Sequence, residues 1–299
     1  MASFTQFAGF GFAVASIALL SACGGGDGIV ASAPVPIPTP VPGSARVDIF
    51  SSPTSQEFAS IASGNDLRIR YVAESNQYQV SVNGGEWDRL LDDPNQIPLE
   101  GYPNQSFVLA SSRGPNSSYF MTRVSDKFPD ADHRYQYSNL AAWGARDVGG
   151  GLVAFGFATP QGAIPTSGSG SYKGLVEGGS TVDSIDWDGR TTTDGWVDGT
   201  VSLSFDFARG TLAGELALVI DDKGKQVEIS PFPFADTVFS PGSSNFSGRF
   251  ATNTEGPNAF SGLFAGPNGE ELIGRWTVPF LFNEVPESAV GVWIAKRGN

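Results

Sequence analysis

The sequence holds one cysteine and one histidine in 299 residues. A lone cysteine excludes an internal disulfide framework and any cysteine-rich zinc site. A lone histidine leaves little for imidazole catalysis or multi-histidine metal ligation. Charge is also scarce, at 16% of residues, against the roughly 25% of an ordinary soluble domain. What charge there is leans acidic, with 18 Lys plus Arg against 31 Asp plus Glu and a net charge of −13. Nucleic-acid binding needs clustered positive charge for phosphates, so that class is excluded, as is electrostatic docking on anionic lipid. After residue 22 no stretch approaches 18 apolar residues, so nothing there reads as a membrane-spanning helix. Against these shortages stand 38 Gly, 20 Pro and 22 Phe, and a hydrophobic fraction of 40%, enough for a core. The expectation is a non-enzymatic protein without cofactor.

The first 22 residues carry no charged side chain, and Phe7–Ala22 is apolar and small. That run is short for a span and has the character of a secretory signal peptide. It ends in Leu20-Ser21-Ala22-Cys23, which resembles the lipobox of bacterial lipoproteins. The resemblance implies that Cys23 receives a diacylglycerol thioether and becomes the first residue of the mature protein. The chain departs from the usual pattern in having no Lys or Arg before the apolar run. A plain cleaved signal and a short uncleaved anchor are the alternatives. Two or three acyl chains give stable anchoring, where one gives only marginal binding. Residues 23–45 follow as a tether, with Pro at 34, 36, 38, 40 and 42. Proline fixes φ and removes a donor, so polyproline II is expected there. At about 3.1 Å per residue such a tether holds the body tens of ångströms from the membrane.

From residue 46 on, no window shows a sustained 3.6-residue period, and period-2 alternation recurs between Gly, Asn, Asp and Pro. The body is expected to be all-β. Residues 46–160 read as a small, irregular β domain. Its strands include Leu67–Val72, Tyr78–Val82, Ser106–Ser111, Ser118–Val124, Asn139–Arg146 and Gly151–Phe157, with a favoured turn at Asn83-Gly84.

Residues 161–299 alternate more cleanly and give eight strands: Ser171–Val176, Trp196–Phe207, Thr211–Ile220, Lys225–Ile229, Asn245–Thr252, Ala259–Ala265, Glu270–Val278 and Ala289–Lys296. Short connections make neighbours antiparallel, and eight such strands close into an up-and-down β-barrel. Val201, Leu203, Phe205 and Phe207 share one face of their strand and Ser202, Ser204 and Asp206 the other, while Leu212, Leu216, Leu218 and Ile220 oppose Glu215. Glycines 214, 248, 262 and 274 fall inside strands, where they mark bends or close contact. The bulky interior set argues against a lipocalin-like open cavity.

Several ordered segments carry a family resemblance. They are Pro165–Gly174, Val201–Gly214, Phe246–Phe250, Phe260–Gly266, Gly269–Trp276 and Ala295–Arg297. Together, over about 135 residues, they resemble the β-barrel of the transferrin-binding protein B family of surface lipoproteins. Residues 46–160 resemble that family's handle domain more faintly. The full family member has two handle-plus-barrel lobes and this chain has one, as do factor H-binding protein and haemophilin-like haem proteins. The resemblance implies an outer-membrane, lipid-anchored protein exposed at the cell surface. It would bind a protein or haem ligand and serve iron or haem acquisition with an outer-membrane receptor. A structural or adhesive surface protein without a small ligand is the alternative. The ligand and its contact residues do not carry over.

Candidate chemistry is sparse. Asp186-Trp187-Asp188-Gly189 opens like a calcium loop, but position 12 is Val197 where a bidentate Glu is needed. His133 sits in a polar, acidic run and reads as a surface residue rather than a haem ligand. Tyr71, Tyr78, Tyr119, Tyr135 and Tyr137 could ligate haem iron in principle, although strand tyrosines usually pack. Two long loops are expected, 178–195 with Ile185 and Trp187, and 230–244 with Phe232 and Phe234. Those four residues are the candidate ligand anchors, because exposed aromatic and apolar groups in loops dominate interface energy. The other reading of Phe232, Phe234 and Phe239 is that they cap an open barrel end.

Overall fold

A computed structural model describes residues 55–75, 77–92, 108–111, 118–123, 135–145, 149–185, 191–192, 195–222, 225–229 and 231–298. The signal peptide, Cys23, the tether, His133 and Trp187 lie outside the described residues. Every regular element described is a strand, apart from one 3-10 turn at Ala73–Ser75.

The first eight strands are β1 (Gln56–Ala62), β2 (Leu67–Val72), β3 (Gln77–Val82), β4 (Asp88–Asp92), β5 (Val108–Ser111), β6 (Ser118–Arg123), β7 (Ser138–Ala145) and β8 (Gly149–Gly156). Each pairs antiparallel with the next, and β1 closes on β8 with Ala62 opposite Val153. The region that reads as irregular in sequence is thus a closed ring. In β2 the alternation is direct: Leu67, Ile69 and Tyr71 are buried, while Arg68 and Arg70 face outward over the ring of Trp87. Arg68 also forks onto the Glu57 carboxylate of β1 at 2.7 and 2.9 Å. Asn83 and Gly84 both take positive φ in a turn closed by the Gly85 N–H on the Val82 carbonyl. The core holds Phe58, Ile69, Trp143, Val153, Phe155 and Phe157.

The second ring starts with β9 (Ser169–Ser180), followed by a small hairpin of β10 (Ser184–Ile185) and β11 (Thr191–Thr192). Then come β12 (Gly195–Asp206), β13 (Thr211–Asp222), β14 (Lys225–Glu228), β15 (Phe232–Val238), β16 (Asn245–Phe250), β17 (Ala259–Ala265), β18 (Glu271–Phe282) and β19 (Val285–Arg297). β19 pairs back onto β9, and β12 pairs with β13 along ten residues, so eight strands go round. All neighbours are antiparallel, as the short connections require.

One stave differs from the sequence expectation. Lys225–Glu228 pairs only with the end of β13 and lies outside the ring. The fourth stave is β15, which pairs with β13 at Leu216 and with β16 at Phe250. The segment 230–244 is therefore not one long loop. Pro231 and Pro233 suggest a loop, yet Phe232 and Phe234 alternate across Pro233, which points outward and is exposed. A register shift between Ala235 and Val238, with Asp236 at φ 46°, bends the strand where ladder pairing is incomplete.

The second interior is filled with rings. Phe205 meets Tyr172, Phe239, Phe246 and Phe264 at centroid distances of 5.0–5.6 Å. Farther along, Phe234 lies 4.2 Å from Phe260 and stacks over Trp293. The in-strand glycines seat these rings. A Cβ on Gly274 would stand 2.2 Å from Nε1 of Trp293, and one on Gly262 would stand 2.3 Å from the Phe246 ring. At these positions an absent side chain on one strand lets an aromatic group from the next lie flat against its backbone.

The two rings share an apolar contact. Leu140, Leu152 and Ala154 of the first pack on Ile273, Val292 and Ile294 of the second. The joining segment adds backbone bonds, Thr159 N–H to the Phe264 carbonyl and Gly266 N–H to the Phe157 carbonyl.

Candidate functional site

The ladders of the second ring end at different heights. β17 stops pairing with β18 at Thr277, and β9 stops pairing with β19 at Ala289. β18 and β19 continue beyond both, paired with each other up to Phe282 opposite Val285. The hairpin turns over Asn283 and Glu284, both at positive φ, 50° and 67°. That mirror-image turn matches strand twist and lets the ribbon project. Thr181, just after β9, braces one flank through its hydroxyl on the Glu287 carboxylate.

Of the four large apolar side chains exposed among the described residues, three lie at this end. Leu281 is 59% exposed, Val285 53% and Trp196, at the start of β12, 38%. The Trp196 indole N–H donates to the Asp198 carboxylate at 3.1 Å. Asp183, Asp221, Asp222, Glu284 and Glu287 stand around the same rim. Desolvating isolated apolar tips costs little, while the acidic collar repels anionic surfaces and attracts cationic ones.

The anchors expected from sequence are distributed unevenly over this rim. Ile185 ends β10 opposite Thr191, and β10 lies against β12 and β13 at this end. Trp187 lies in the same connection but outside the described residues. Phe232 is buried in the second core, edge-on to Phe250 at 6.5 Å. Phe234 is half-buried and packs on the same cluster. Both therefore point into the ring, and the loop from which they would have reached a ligand is β15. Leu281, Val285 and Trp196 are the groups that sequence reasoning missed. Leu281 and Val285 flank the two-residue turn of an alternating hairpin, the only signal in the sequence that could have marked them.

A second concavity of ≈650 Å³ lies between the rings. One wall is the end of β1 with Gly64, Asn65 and Asp66, and the other is β16, β17 and Arg275 of β18. Ser247, Ser261 and Arg275 are cross-strand neighbours on the outer face, and Arg275 Nε donates to the Ser261 hydroxyl at 3.3 Å. Here hydroxyls, amides and Arg275 are interleaved with apolar groups such as Ile61, Leu263 and the exposed Val238, whereas apolar tips among carboxylates mark the rim.

Tyr71, Tyr135 and Tyr137 are packed, with the Tyr135 hydroxyl donating to the Ile294 carbonyl at 3.3 Å. Burial pushes the Tyr172 phenol up to about 12, and its hydroxyl donates to the Gly269 carbonyl at 2.7 Å. Among the described residues no group of three or more His, Cys, Asp or Glu is placed to hold a metal. Among them, too, no helix is long and apolar enough to cross a membrane.

Residues 164–297 match the family model of the C-lobe and N-lobe beta barrels of Tf-binding protein B. Solved structures similar to the chain include isotype 1 transferrin binding protein B from serogroup B Neisseria meningitidis. It has 15% identity and a TM-score of 0.45, over 82% of this chain and 44% of that one. HpuA from Kingella denitrificans in complex with human haemoglobin has 13% identity and a TM-score of 0.44, over 86% of this chain and 91% of that one. A transferrin binding protein B double mutant from Haemophilus parasuis Hp5 has 16% identity and a TM-score of 0.38, over 80% and 51%. The chain spans about half the length of the transferrin-binding proteins B it matches. No curated protein matches it. Residues 164–297 are therefore similar to the β-barrel domains of the transferrin-binding protein B family.

Proposed function

We propose that the chain is a non-enzymatic surface lipoprotein that binds a protein or haem ligand for iron or haem acquisition. In this reading it is anchored in the outer membrane through lipid on Cys23 and works with an outer-membrane receptor. The observation that carries the binding role is the rim of the second ring, where Leu281, Val285 and Trp196 stand exposed among carboxylates. A rigid closed scaffold with apolar groups at one end suits recognition, since the strands fix the geometry and the connections vary it. The filled interior directs the ligand to the outside. HpuA was solved with human haemoglobin, and the matching family is named for transferrin, so both proteins are rational probes.

The test is capture by the immobilised protein of haemoglobin, transferrin and free haem in parallel, with absorbance in the Soret region. Saturable binding of at least one probe, weakened by salt, supports the reading. Failure of all three with the fold intact favours the adhesive or structural alternative.

A further inference from the structure

Glu271 opens β18, yet its carboxylate serves the other ring. It accepts the backbone N–H of Gln136 at 2.6 Å, the N–H of Tyr137 at 3.0 Å and the Ser138 hydroxyl at 2.7 Å. These are three consecutive residues leading into β7, and Glu271 itself is only 2% exposed. Apolar groups from both rings surround the contact. A carboxylate so placed is costly to ionise and costly to leave unpaired. We propose that Glu271 is a proton-operated latch between the two rings. With the proton bound the rings are held fast, and losing it loosens the clamp.

The chemistry accommodates both states. When Glu271 is neutral, the Ser138 hydroxyl reverses and accepts the carboxyl proton, while the two N–H donors stay in place. When Glu271 is ionised, all three donors face a buried charge. Several groups tune that charge. Lys296, its cross-strand partner on β19, favours the ionised form. Tyr135 and Tyr137 face it from the first ring, and both phenols are pushed up by burial and by this carboxylate. Glu270 precedes it and is engaged by the Asn268 N–H and side-chain amide. Burial outweighs the donors and raises Glu271 from the usual carboxylate range to about 7. A folded-state value above the solvated one means the latch is strongest in acid. Its contribution fades as pH rises from the ordinary carboxylate range through about 7.

The experiment is amide hydrogen exchange on the whole protein at about pH 5.5 and about pH 8, corrected for the chemical exchange rate. Protection of the Gln136 and Tyr137 amides should fall about tenfold or more between them. Glu271→Gln, which cannot ionise, should remove that dependence. Ser138→Ala, which removes one donor to the ionised form, should move the midpoint upward. Protection flat with pH in the native protein overturns the proposal, and so does an undiminished fall in Glu271→Gln. Should Glu271→Gln not fold, a midpoint unmoved by Ser138→Ala overturns it. These readouts use no ligand, so they stand or fall apart from the binding role.

Discussion

At the residue scale, burial decides what each aromatic side chain is for. Phe205 and Phe232 are both buried in the second ring's core, Phe205 among several rings and Phe232 edge-on to Phe250. Truncating such a group removes its transfer energy and leaves a cavity that stiff staves cannot close. Phe205→Ala and Phe232→Ala are each expected to cost about 3–5 kcal/mol. Denaturant unfolding checks this, and a loss below about 1 kcal/mol for Phe232→Ala would put its ring outside the core. Alternation in Val201–Phe205 and Leu212–Ile220 made those interior faces legible in sequence. The glycine seats were only half legible. Their place inside strands marks Gly262 and Gly274 as bends or points of close contact. Which ring each one receives depends on register across strands, and no local pattern encodes that.

At the element scale, proline and turn chemistry competed with alternation. The segment 230–244, a long loop by its sequence, holds β15, with a proline on each side of Phe232. β15 meets β13 at only two register positions, one of them Pro233 opposite Glu215, and the Pro233 carbonyl accepts the Ala251 N–H, so the donor that proline lacks interrupts little of the ladder. The β18–β19 hairpin was underestimated for a related reason. Asn283-Glu284 lacks the glycine of a favoured hairpin turn, so no local signal extends the strands to it. Glu284 holds φ at 67°, a region that costs a non-glycine residue about 1–2 kcal/mol. Glu284→Gly should therefore stabilise the protein by up to about 1 kcal/mol after glycine's own entropy loss. Glu284→Val, β-branched at positive φ, should destabilise it. Thermal melting reads both signs, and a reversed order would contradict the turn geometry.

At the scale of the whole molecule, sequence reasoning found an all-β chain with an eight-stranded barrel near its carboxy terminus. It did not find that the first region closes as well. The segments 93–107 and 124–134 are polar stretches that break the rhythm by which strands are counted, and ring closure is a long-range pairing of β1 with β8. The proposed lipid anchor is tested on the full chain. Cys23→Ser should prevent thioether formation and leave unprocessed precursor or soluble protein. Normal membrane fractionation with labelled-lipid incorporation in that variant would contradict the lipoprotein assignment. The net charge of −13 makes a cationic surface the favoured partner, with association slowed by salt.

The central claim is that ligand is held at the rim of the second ring. Affinity for a captured probe and melting temperature, measured together on Trp196→Ala, Leu281→Ser and Val285→Ser, test it most directly. Each variant should lose about 1–2 kcal/mol of binding, near the threshold of an interface hot spot, with melting unchanged. Unchanged affinity in all three, with the fold intact, would remove the rim from the binding site.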